Sequence, residues 1–203
     1  MYFYTHLYIA KELYRQLSKN ILLDFDSFSY GNIKPDIPSK HRKHHTQENY
    51  LEKMFDQISV LKKEEFTVQE FSIRLGEICH YICDFFCYYH LNEYLHNKNL
   101  KHFFYEISMH ISLLTYHFEK IDVLIDPNIS TSTFENPITS SFTAMFKLYS
   151  EKPNSKKKDM DFALSTSLVI CERILEEIHF PSSYPFEFEL KGHSTNIQEE
   201  QLS

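Results

Sequence analysis

Residues 76–90 read GEICHYICDFFCYYH, placing two histidines and an aspartate among aromatic residues and three cysteines. His80 and Asp84 are four apart, so a helix sets both on one face, one turn from each other. His102 and Glu106 repeat that spacing further along the chain, and His90 lies between the two pairs. A histidine–carboxylate pair at this spacing can grip a metal ion from one rigid element, because both side chains lean the same way. His6 stands near the start of the chain, and Asp36 precedes the basic run HRKHH, which holds His41, His44 and His45. Nitrogen and carboxylate ligands drawn from several elements suit borderline divalent ions, zinc above all.

The elements that must position these residues read as helices. The spacing of Leu7, Ala10, Leu13, Tyr14 and Leu17 predicts a first helix over about 5–17, followed by a loop carrying Gly31, Pro35 and Pro38. Leu51, Met54, Phe55, Ile58 and Leu61 predict a second helix. Thr67 and Glu70 form a capping-box pattern that opens a long third helix through GEICHYICDFFCYYH to about Leu95. A fourth is expected over about 100–123. Residues 124–157 read as a long connection with a short helix near FTAMFKLY, and a last helix covers DFALSTSLVICERILEEIHF. The expected architecture is all-α, a single-domain bundle of about five to seven helices around a metal cleft over residues 1–180, with a polar tail at 181–203.

Composition supports this class and narrows function. The chain has 203 residues, 16% aromatic, with three glycines and no tryptophan, which suits a helical core better than a sandwich or barrel. The net charge of −7 argues against a broad electrostatic grip on nucleic acid or an anionic membrane. Cys79, Cys83 and Cys87 recur every four residues, and with Cys171 they read as small buried side chains rather than a disulfide framework. No signal-peptide pattern and no run of about 18 apolar residues is present, so a cytoplasmic location is expected.

The pattern LG-x3-H-x3-D-x5-H over residues 75–90 resembles the zinc-dependent phospholipase C and single-strand-specific zinc nuclease superfamily. The resemblance extends upstream to Thr5–His6, to GNIKPDIP around Asp36 and to the histidine before the second helix. Downstream it reaches His102 and Glu106, so it covers about residues 1–110. It implies an all-helical fold with two to three zinc ions in a cleft. Asp36, a loop histidine, His80 and Asp84 would hold one ion; the loop histidine is His45, with His44 the alternative. His90, His102 and Glu106 would hold a second. His6 and a bridging Asp84 would hold a third, with the Met1 amine standing where the family uses an N-terminal tryptophan. The family often has proline two residues before the histidine matching His90, and this chain has Tyr88 there. The third helix is therefore expected to run on, leaving His90 about 120° around from Asp84.

The implied reaction is zinc-dependent phosphoester hydrolysis by metal-activated water, with Asp36 orienting or deprotonating that water. A phospholipase C-like phosphodiesterase acting on phospholipid ranks first, and a nuclease or phosphomonoesterase of the same superfamily second. A non-catalytic zinc-binding relative is the rival from another class. An HD-type phosphohydrolase is disfavoured because no His-Asp dipeptide occurs. Of the remaining histidines, His96, His110, His117, His179 and His193 match no family position and are assigned surface or capping roles.

Overall fold

α4 (Val68–Phe85) is the central element, with every residue from Leu75 to Phe85 buried. It opens on the expected capping box: the Glu70 N–H donates to Thr67 Oγ1, and Glu70 Oε2 accepts from the Thr67 N–H. Against it pack α2 (Phe25–Ile33), α3 (Gln47–Lys63) and α8 (Lys156–Glu177). α1 (Phe3–Leu17) lies across α2 and α8 and buries His6, Ile9, Ala10, Leu13 and Leu17 along one stripe. The four-residue α5 (Glu93–His96), α6 (Asn99–Ser112) and α7 (Pro137–Glu151) complete the bundle. This computed structural model describes residues 1–38, 44–118 and 136–178, and among them there is no strand. The protein is all-α, as its composition implied.

Four elements differ from the sequence expectation. The loop containing Gly31 and Pro35 holds α2, whose N-terminus is capped by Asp24 accepting from the Ser27 N–H at 2.8 Å. Its glycine suggested a loop but serves a crossing: a Cβ on Gly31 would stand 2.1 Å from the Ile73 carbonyl oxygen, and one on Gly76 2.4 Å from that of Phe28. The two glycines let α2 and α4 touch backbone to backbone.

The second difference is that α4 stops at Phe85. Cys87 is extended (φ −110°, ψ 125°), and a tight helical turn over Tyr88–His90 follows. Thirdly, the short helix expected near FTAMFKLY is the fifteen-residue α7, begun by Pro137 at its first turn and the Asn136 cap. α6 gives way at Leu113 to a tight turn, whereas a helix to Val123 was expected; residues 119–123 lie outside the described residues, as do His41, His179, His193 and the 181–203 tail.

Behind the end of α4, Phe85 and Phe86 pack against Phe142, Phe146, Tyr149 and Phe162 of α7 and α8. These aromatics are core, which frees the opposite face of α4 for polar groups. No described helix is long and apolar enough to cross a membrane.

Candidate metal centre

α4 carries His80 and Asp84, and the α2–α4 crossing fixes how His80 is used. His80 Nδ1 lies 2.8 Å from the Asn32 carbonyl oxygen. A carbonyl only accepts, so Nδ1 bears the proton, and in the neutral ring Nε2 presents a lone pair. That nitrogen stands 2.8 Å from His45 Nδ1 and 3.2 Å from Asp84 Oδ2, and His45 Nδ1 is itself 3.0 Å from Asp84 Oδ2. The helical turn Lys34–Asp36 that ends α2 brings Asp36 alongside, with Oδ1 3.9 Å from both His45 Nδ1 and His80 Nε2. From α1, His6 stacks on His80 at 4.0 Å and places Nε2 3.3 Å from Asp84 Oδ1.

A second cluster adjoins the first. His102 Nδ1 lies 3.2 Å from the His96 carbonyl oxygen, so it too carries its proton outward. His102 Nε2 is 2.9 Å from Glu106 Oε1 and 3.0 Å from His90 Nε2, and His90 Nε2 is 3.0 Å from Glu106 Oε1. The break after α4 turns His90 into this group, so the expectation that it would point 120° away is overturned. The Met1 amine closes the space between the clusters: it contacts Asp84 Oδ1 and lies 3.1 Å from His90 Nε2 and 3.2 Å from Glu106 Oε1.

The charges suit cation binding. Burial opposes ionisation of Asp84, but His90, the Met1 ammonium, His80 and His6 hold its carboxyl well below the usual range. Glu106 and Asp36 are likewise depressed against their burial, Glu106 chiefly by the Met1 ammonium and Asp36 by His6 and His80. Burial, reinforced by His80, pushes His6 down to about 4, and burial lowers His90. The Met1 ammonium is buried as well, yet Asp84 and Glu106 raise it well above its ordinary value. Ionised carboxylates and neutral imidazoles are the protonation states that metal ligands require, whereas the Met1 ammonium must give up a proton before its nitrogen can coordinate.

Two observations show that these residues fit zinc. Tetrahedral zinc with bonds of 2.0–2.1 Å holds neighbouring ligand atoms about 3.3 Å apart, close to the separations in both clusters. Among the described residues, buried His6 has no well-aligned hydrogen bond through either ring nitrogen, its Nε2 only approaching Asp84 Oδ1, and His102 Nε2 faces a carboxylate oxygen as acceptor against acceptor. Such an arrangement calls for a cation among the lone pairs, a place that the Met1 ammonium takes beside His90 and Glu106 and that a metal ion can take in its stead.

The structure brings Met1, His6, Asp36, His45, His80, Asp84, His90, His102 and Glu106 into one region. Between the two loop histidines it distinguishes sharply: His45 joins the first cluster, whereas exposed His44 lies with its ring tilted against that of His96, centroids 3.7 Å apart. His96 was assigned a surface or capping role, but its half-buried ring packs 5.0 Å from that of His90 and 4.5 Å from that of His102. Its ligand nitrogen lies within 4.8 Å of theirs. The six-residue recurrence of His90, His96 and His102 was the available signal, but no unbroken helix aligns that spacing. His110 faces the rings of Tyr2 and Tyr4, and His117 is exposed. All four cysteines are buried free thiols.

A family model described as zinc dependent phospholipase C matches residues 5–155. No curated protein and no solved structure matches the chain.

Proposed function

Given that the chain belongs to the zinc-dependent phospholipase C family, we propose that it is a zinc-dependent phosphoester hydrolase acting as a phospholipase C-like phosphodiesterase. The observation that carries this reading is the pair of imidazole clusters whose protons point outward, to the Asn32 and His96 carbonyls, while their lone pairs meet Asp84 and Glu106.

His45, His80, Asp84 and Asp36 would hold one zinc ion, and His90, His102 and Glu106 a second. His6 and Asp84, with the Met1 amine, would hold a third, Asp84 serving two sites through its two oxygens. Zinc bound there supplies a Lewis acid for phosphoryl charge and makes hydroxide available near neutral pH.

The chain's own residues divide the remaining work. Asp36 is the more open carboxylate, 19% exposed beside the buried Asp84, and it stands 3.9 Å from its histidine neighbours. Its lowered pKa keeps it ionised, so a carboxylate oxygen can orient an attacking water and accept its proton. The Asn32 and His96 carbonyls hold His80 and His102 in the tautomer that leaves Nε2 unprotonated. Burial of His6, His80 and Asp84 keeps bulk water away from their ligand atoms.

Metal analysis of the purified protein, coupled to a phosphodiester assay before and after chelation, tests this function. Two to three zinc ions per chain and chelator-sensitive release of a phospholipid headgroup are expected. Bound zinc without turnover on any phosphodiester would replace the hydrolase with a non-catalytic zinc-binding protein.

A further inference from the structure

Asp159 lies in the first turn of α8, beyond the segment that matches the family, and is fully buried. One oxygen, Oδ2, accepts two hydrogen bonds at 2.8 Å, from the Tyr88 backbone N–H and the Tyr105 hydroxyl. The other, Oδ1, accepts from the Tyr149 hydroxyl at 2.8 Å. Tyr88 is two residues before His90, and Tyr105 is next to Glu106 and three residues after His102. A single oxygen atom therefore ties together the two chain segments that carry His90, His102 and Glu106.

The Tyr88 contact also explains the break in α4. In a continuing helix the Tyr88 N–H would donate to the Asp84 carbonyl. Here the Cys87 N–H takes that carbonyl at 3.0 Å, and the Tyr88 N–H is diverted to Asp159. Position 88 holds no proline to remove the donor, so the carboxylate from α8 competes for it instead. The diverted backbone then turns through Tyr88–His90 and delivers His90 Nε2 to 3.0 Å from both His102 Nε2 and Glu106 Oε1.

Asp159 is itself held in place. It follows the Ser155 cap, in the turn where the helix dipole favours a carboxylate. The neighbouring Lys158 ammonium sits 3.8 Å from the centre of the Tyr149 ring and donates to the carbonyls of Tyr149 and Lys152.

We propose that Asp159 is a positioning residue for the metal cluster of His90, His102 and Glu106, setting the distance between His90 and the His102–Glu106 pair through Tyr88 and Tyr105. This proposal rests on the zinc reading above and gives α8 a role in the site.

The three donors separate positioning from simple packing. Tyr105→Phe removes a hydrogen bond on the metal side of the carboxylate, whereas Tyr149→Phe removes one on the far side. Zinc affinity is measured by competition with a chromophoric chelator, and the coordination of substituted cobalt(II) by its visible absorption, alongside thermal unfolding of the metal-free proteins. Asp159→Ala and Tyr105→Phe are expected to weaken one zinc equivalent by about 10-fold to 100-fold, to alter the cobalt spectrum, and to leave the remaining equivalents intact. Tyr149→Phe should lower the unfolding temperature comparably to Tyr105→Phe while holding zinc like the wild type.

Wild-type zinc affinity and cobalt spectrum in Tyr105→Phe would overturn the positioning role. Equal losses in Tyr105→Phe and Tyr149→Phe would reduce it to packing. A wild-type chain that takes up no zinc would overturn the metal reading and this proposal together, which the variants alone cannot do.

Discussion

His80 Nδ1 donates to the Asn32 carbonyl across 2.8 Å, and the contact exists because Gly31 and Gly76 let α2 and α4 meet without side chains between them. A methyl group at position 76 would strike the Phe28 carbonyl oxygen at 2.4 Å and the Asn32 nitrogen at 3.0 Å, both backbone atoms that cannot swing aside. Gly76→Ala is therefore expected to destabilise the fold by about 2–3 kcal/mol, lowering the unfolding temperature on the order of 5–10 °C. It should also weaken zinc at the first cluster, because His80 loses the acceptor that fixes its tautomer. Thermal unfolding and chelator competition measure the two effects; an unchanged variant would mean that the helices do not touch at this point.

Asp84 joins the clusters more directly than any other residue. Its Oδ1 faces the Met1 amine, His6 and His90, and its Oδ2 faces His45 and His80. Asp84→Asn keeps the shape but removes the charge and turns one lone-pair site into an N–H donor aimed at imidazole nitrogens or an ammonium. Turnover on a phosphodiester should fall about 100-fold or more, and the zinc content should drop by at least one ion. Retained activity with full zinc occupancy would remove Asp84 from the site.

His45 and His44 are adjacent in sequence but differ in placement. His45 is buried with Nδ1 in the first cluster, whereas His44 lies exposed against the His96 ring. His45→Ala should cost one zinc equivalent and most of the turnover, while His44→Ala should keep its zinc. Zinc content of the two purified variants, measured side by side, decides the assignment; the reverse result would exchange their roles.

How far the sequence revealed this arrangement depended on the kind of signal. The i,i+4 pairs His80–Asp84 and His102–Glu106 were legible because helical periodicity alone puts them together. The all-α class followed from the same periodicity, and the Thr67–Glu70 box located the start of α4. The helix α2 was not legible: its nine residues hold a glycine and bury only Phe28, Gly31 and Asn32, so its stability comes from contact with α4 rather than from local pattern. The turn at Tyr88 was misread for a related reason. The acceptor that stops the helix, Asp159, lies 71 residues away on α8. His96 was overlooked because its position depends on that same turn.

Asp159 also gives a pH dependence whose sign can be worked out. Burial raises its carboxyl from an ordinary value near 3.8 to about 6, against the opposing effect of the Tyr88 N–H and the hydroxyls of Tyr105 and Tyr149. The folded state therefore holds the proton more tightly than the unfolded chain does. The stability gained from protonated Asp159 is fully present below about pH 4 and is lost as pH rises through about 6, a change on the order of 2–3 kcal/mol. In Asp159→Asn the side chain is neutral at every pH, so this component disappears. Denaturant unfolding of both metal-free proteins at several values between pH 4 and pH 7 isolates it, because the other carboxylates contribute equally and cancel in the difference. The wild type should lose stability relative to Asp159→Asn as pH rises across that window. A flat difference would mean that Asp159 ionises in the fold as readily as in the unfolded chain, its three donors having offset the full cost of burial.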